Sequence, residues 1–203
     1  MKKIVIVSLL IGVAICTWWV IFKDKSGDKG PKQQALKVGK HTSEFNRGVS
    51  NVITEYLSLK EAFVNGDTAK IKEQQRMLVA ALEGIKLDEL KNDTTGIFQS
   101  AQLLLGDIRS NTEAIAKETD ITEMRQDFRM VSENLFPFLK TIRYEGEKLY
   151  WQNCPMAFGD DKDGSWLSNS EEIVNPYLGK NHPKYKGSML HCGEIKDTIQ
   201  SPM

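Results

Sequence analysis

Between Ser43 and Ile142 the apolar residues recur at three- and four-residue spacing in four successive blocks, a period that only amphipathic helices satisfy over such a length. The first block carries Phe45, Val49, Val52, Ile53, Tyr56, Leu57 and Phe63 on one stripe, and Asn65-Gly66 ends it, with Gly66 free to take the left-handed conformation of a C-terminal cap. Asp67 is placed to cap a second helix whose inward residues are Ile71, Leu78, Ala81, Leu82 and Ile85. Asn92, Asp93 and Thr94 offer caps for a third, with Ile97, Ala101, Leu104, Leu105 and Ile108 inward. Asp120 followed by Glu123 reads as a capping box for a fourth, striped by Met124, Phe128, Val131, Leu135, Leu139 and Ile142. Pro137 falls inside that last pattern and lacks a backbone donor, so the helix is expected to kink or restart there. The near-absent loop at Asn65–Asp67 forces neighbouring helices antiparallel. The expected fold is therefore all-α, an up-and-down four-helix bundle over residues 43–145.

After Arg143 the period is lost. Tyr150-Trp151, Gly164-Ser165-Trp166, Asn175-Pro176-Tyr177 and His182-Pro183 mix aromatics with turn formers, which predicts an irregular cap over residues 146–203, packed on the bundle by its aromatic side chains. Glu194 to Gln200 reads as one or two closing helical turns.

At the other end, Lys2 and Lys3 precede an unbroken apolar run from Ile4 to Phe22. The run approaches the ~20 residues that cross a hydrocarbon core and exceeds the ~7 to 15 of a cleavable signal. Trp18-Trp19 suits a membrane interface, and no small-x-small cleavage site follows. Residues 1–24 are thus expected to be a signal anchor, with a cleaved signal peptide as the alternative. Cys16 reads as an ordinary membrane residue, because bulky Ile15 precedes it. A short basic N-terminus stays in the cytoplasm, so the expectation is an inner-membrane anchor with the soluble part in the periplasm, or a secreted periplasmic protein after cleavage. Residues 25–42, rich in Lys, Gly and Gln, make a linker.

Chemistry is concentrated in the cap. Cys154-Pro155-Met156 and Met189-Leu190-His191-Cys192 hold both cysteines outside the apolar run, each with a methionine within three residues. Thiolate and thioether sulfurs are polarizable donors that favour Cu(I) and similar ions, and an imidazole is compatible with the same metals. Cys154, Met156, Met189 and Cys192, with His191 as an alternate, are the candidate ligands for Cu(I), with Ag(I) and Zn(II) as alternatives. Without a metal, Cys154 and Cys192 in an oxidising compartment form a disulfide, and the protein is then a structural or interaction module with no cofactor. Residue types leave both readings open. Pro155 holds Cys154 extended, and Gly193 frees the backbone after Cys192.

Several classes are disfavoured. Lys plus Arg and Asp plus Glu both number 27, so no global field draws the chain to nucleic acid. There is no phosphate-binding glycine loop and no nucleophile elbow. His191 adjoins Cys192 in sequence, where an extended chain points the two side chains to opposite faces. No enzyme is expected. Asp160, Asp161 and Asp163 miss calcium-loop spacing and read as a solvated turn. His41 and His182 read as surface or linker histidines.

The run Cys154-Pro155-Met156-Ala157, then Trp166-Leu167-Ser168, Glu172-Ile173, Asn175-Pro176-Tyr177, Gly179, Met189 and Cys192-Gly193-Glu194, resembles a bacterial domain-of-unknown-function family that is helical in its first part. That family occurs as a stand-alone exported protein and fused to periplasmic adaptor subunits of copper- and silver-type heavy-metal RND efflux systems. The resemblance extends from about Ser43 onward. It implies metal handling outside the cytoplasm, ligands at Cys154, Met156, Met189 and Cys192, and an RND adaptor or another periplasmic metal-handling protein as partner. Asn153 stands where many members carry histidine, and Lys180 to Ser188 is longer than in compact members.

Overall fold

Capping chemistry sets the first helix boundaries. In the computed structural model, which describes residues 41–159 and 161–200, Thr42 caps α1 (Ser43–Asn65) by accepting from the Phe45 amide. Gly66 closes that helix at φ 67°, as its sequence predicts. Asp67 caps α2 (Thr68–Glu83) through the Lys70 amide. A short 3-10 turn at Asp88–Asn92 intervenes before α3 (Ile97–Ile115), whose N-terminal cap is Gly96 and none of the three polar residues expected. Asp120 caps α4 (Ile121–Thr141), which runs on through Pro137 without restarting.

The apolar stripes face inward as their period requires. Every member of the fourth stripe is buried, from Met124 to Ile142. Consecutive helices pack together, α1 with α2, α2 with α3 and α3 with α4. Large side chains join α1 to α4: Phe128 stacks on Tyr56 with ring centroids 5.3 Å apart and tilts against Phe63 at 4.7 Å. The segment assigned to a linker enters the fold at its end. His41, expected at the surface, is buried against Phe45, with Nδ1 2.5 Å from Glu89 and Nε2 2.6 Å from the Ile142 carbonyl.

The all-α expectation is overturned beyond Arg143. Strands β1 (Leu149–Cys154), β2 (Gly164–Ser168) and β3 (Glu194–Ile199) form an antiparallel sheet in the order β2-β1-β3. The segment Glu194–Ile199, expected to be helical, pairs with β1 across a register irregularity at Trp151/Gln152. The cap is therefore an ordered sheet with long connections, because paired strands satisfy backbone groups that an irregular buried chain would leave without partners. All five residues of β2 are buried, and β2 packs on α4.

Tyr56 ties these layers together. Its hydroxyl accepts from the Leu167 amide at 3.0 Å and lies 2.7 Å from Ser132 Oγ. Ser132 uses its own proton on the Phe128 carbonyl, so the Tyr56 proton goes to Ser132. Burial pushes the Tyr56 pKa upward and keeps the phenol neutral. The apolar run Ile4 to Phe22 lies outside the described residues; among those described, no helix is long and apolar enough to cross a membrane.

Candidate metal centre

The pairing of β1 with β3 brings the two cysteines together. Asn153 is in register with Glu194, so the chain just before β3 runs beside the end of β1, where Cys154 lies. Gly193 makes that approach feasible: its φ is 146°, and a Cβ there would stand 2.9 Å from the Asn153 carbonyl oxygen and 3.0 Å from the Trp166 ring. Cys192 directly precedes Gly193, and its thiol lies near enough to Cys154 for the two to influence each other's charge. Both carry free thiols; Cys154 is buried and Cys192 half-buried. Burial pushes the Cys192 thiol up to about 12, and the neighbouring Cys154 adds to that effect.

Asn175 holds the Cys192 turn in place. It is fully buried, its amide donates to the Leu190 carbonyl at 2.8 Å, and its Nδ2 donates to the Cys192 carbonyl at 2.9 Å. Its Oδ1 accepts from the Tyr177 and Leu178 amides, so every polar atom of the side chain is used. Sequence reasoning placed Asn175 in a turn-forming stretch and in a family motif, and gave it no role in holding Cys192. Asn followed by Pro is the turn signal that could have found it.

The other candidate ligands are distributed unevenly. Met189 opens the turn that ends at Cys192, whose amide donates to the Met189 carbonyl at 3.0 Å, and it packs partly buried on the core. Met156 sits on the turn after Cys154 and is 42% exposed. His191 is exposed and donates from Nδ1 to the Ile173 carbonyl at 2.7 Å. Among the described residues no three His, Cys, Asp or Glu side chains gather, so His191 does not complete a set with the cysteines, and a tetrahedral zinc site of two thiolates and this imidazole is not assembled.

Around the pair, Trp166 is buried with its ring against Gly193, and its Nε1 has no partner. Trp151 stacks on Phe136 at 4.4 Å and serves packing there. Asn153 spends its Nδ2 on Asp163 at 2.9 Å and Ser165 at 2.8 Å. A buried thiol beside a half-buried one, with thioethers on the two adjoining turns, can either close a disulfide or hold a soft ion.

No curated protein and no solved structure matches the chain. The motif-bearing segment from Cys154 to Glu194 lies outside the residues of the family match, which covers α1 from Val52, α2, α3, α4 and the turn after it. Residues 52–146, within the helical part of the chain, are similar to a family described as "Protein of unknown function (DUF3347)".

Proposed function

We propose that the protein binds a soft monovalent ion of the Cu(I) or Ag(I) type between Cys154 and Cys192, outside the cytoplasm, for buffering or for hand-over to a metal-efflux partner. The supporting observation is the proximity of two thiols that the sequence separates widely and that the β1–β3 pairing brings near each other. Sulfur donors select soft ions, and Met189 and Met156 on the flanking turns supply further donors of that kind. Anchoring through Ile4 to Phe22 would keep the site beside membrane-bound partners. The ion is cargo in this reading, and binding releases thiol protons.

The same adjacency favours a second reading, a Cys154–Cys192 disulfide. Such a bridge would close the segment between β1 and β3 and add roughly 3–4 kcal/mol by restricting the unfolded chain. In that case the unreduced protein has no reactive thiols.

Titrating the reduced protein with Cu(I) against a competing chelator separates the two. One equivalent should bind, with affinity reduced at least about tenfold in each of Cys154→Ser and Cys192→Ser, since each removes one of two thiolates. Met189→Leu should weaken binding less. Equal binding by parent and both serine variants, or none by the parent, would leave the disulfide module as the account.

A further inference from the structure

Arg125 stands in the second turn of α4, is only 3% exposed, and makes no hydrogen bond or ion pair with any described residue; its Nε is buried without a partner. The nearest opposing influence is the charge of Asp120, whose own side chain is engaged by the Thr122 amide as the helix cap. Desolvation of a guanidinium without a paired anion is costly, so a native fold that keeps one calls for a counter-charge from elsewhere.

Arg125 lines a cavity of about 270 Å³, small for a ligand pocket. Its charged and polar wall adds His182 and Lys184; its apolar wall is formed by Phe158, Tyr177 and Leu178. His182 Nδ1 accepts from the Lys184 and Tyr185 amides at 3.2 and 3.3 Å, which fixes the neutral ring with its proton on Nε2, a donor. Burial, and then the charge of Arg125, hold the His182 pKa below its ordinary value, in keeping with the closeness of the two groups. The N-terminal end of α4 adds its partial positive charge to the same side. This cavity is lined by neither cysteine and is independent of the thiol pair.

We propose that the cavity beside Arg125 binds a small organic carboxylate with an apolar body, its carboxyl group on the Arg125 guanidinium and His182 Nε2 and its body against Phe158, Tyr177 and Leu178. Guanidinium recognises carboxylate in a planar, bidentate fork, and the apolar wall opposite selects against a bare inorganic anion.

The test uses benzoate as probe, with benzamide as the uncharged isostere and inorganic phosphate as the bare anion, each titrated into the protein while the His182 imidazole nitrogens are followed by NMR. Saturable shifts with benzoate alone are expected, at least tenfold weaker in Arg125→Gln. Because that variant also removes a buried side chain, Gln126→Trp provides a second: it crowds the cavity wall, leaves the guanidinium in place, and should also weaken benzoate binding. Asp160→Asn, which removes the carboxylate next to the cavity residue Gly159, should leave binding undiminished. Equal response to benzamide or phosphate, undiminished binding in both Arg125→Gln and Gln126→Trp, binding that emerges only in Asp160→Asn, or no saturable shift would overturn the proposal.

Discussion

Truncating Phe128 to alanine should destabilise the protein by about 3–5 kcal/mol, the range for an aromatic side chain deleted from a core that cannot collapse. Phe128 is completely buried on α4, and its ring meets Tyr56 and Phe63 of α1 and, at 6.0 Å, Tyr177 from the connection between β2 and β3. Those neighbours are not free to move inward. Tyr56 is held by Ser132 and the Leu167 amide, and the Tyr177 hydroxyl donates to the Ser165 carbonyl at 2.5 Å. The cavity should therefore persist, and since small domains are stable by only about 5–15 kcal/mol, much of the margin disappears. Urea unfolding monitored by circular dichroism measures the effect as a lower midpoint with an unchanged slope. A loss under about 1 kcal/mol would mean that helices and sheet do not share one core.

Gly193→Ala should cost about 1–3 kcal/mol and also separate the two thiols, since strain and overpacking at one backbone position act together. The contacts that a Cβ would meet there include the backbone oxygen of Asn153, which is fixed by the β1–β3 ladder. Relief must come from displacement of the chain that carries Cys192. The expected signature is a lower unfolding midpoint together with slower closure of the Cys154–Cys192 bridge under a mild oxidant. Gly106→Ala is the control: it lies within α3, a Cβ there meets nothing within 4 Å, and the change should stabilise by about 0.5–1 kcal/mol through helix propensity. If Gly193→Ala unfolds and oxidises like the parent, the close crossing at Asn153 does not position Cys192.

The four helices were legible because each has to bury a stripe, and most residues on those stripes lie in the core: Tyr56, Leu78, Ile108 and Phe128 fall where the period puts them, whereas Leu57, Ile97, Leu104 and Leu105 are only partly buried against it. The sheet was not legible, for reasons visible in its strands. β2 is buried on both faces, so Gly-Ser-Trp-Leu-Ser has no alternation to detect. Most of β3 is exposed, and its Glu194, Lys196 and Asp197 resemble a solvated helix or loop. Its strand state is imposed by pairing with β1, a long-range contact that no local window contains. The thiol pair was half legible: residue types singled out Cys154 and Cys192 as candidates, and only the β1–β3 register brings them together. His41 and Arg125 were misread or passed over for one reason, that an isolated charged or imidazole side chain in sequence looks solvent-exposed until tertiary packing buries it.

The most direct test of the proposed soft-metal site is differential alkylation. The protein is fully reduced, freed of metal and treated with a thiol reagent in the absence and presence of one equivalent of Cu(I), and modification at each cysteine is read by mass spectrometry. The account predicts that a single equivalent protects Cys154 and Cys192 in parallel, with protection of both lost when either is replaced by serine. Unchanged alkylation of Cys192 in the presence of Cu(I), or protection of Cys192 that survives Cys154→Ser, would contradict a site shared by the two thiolates.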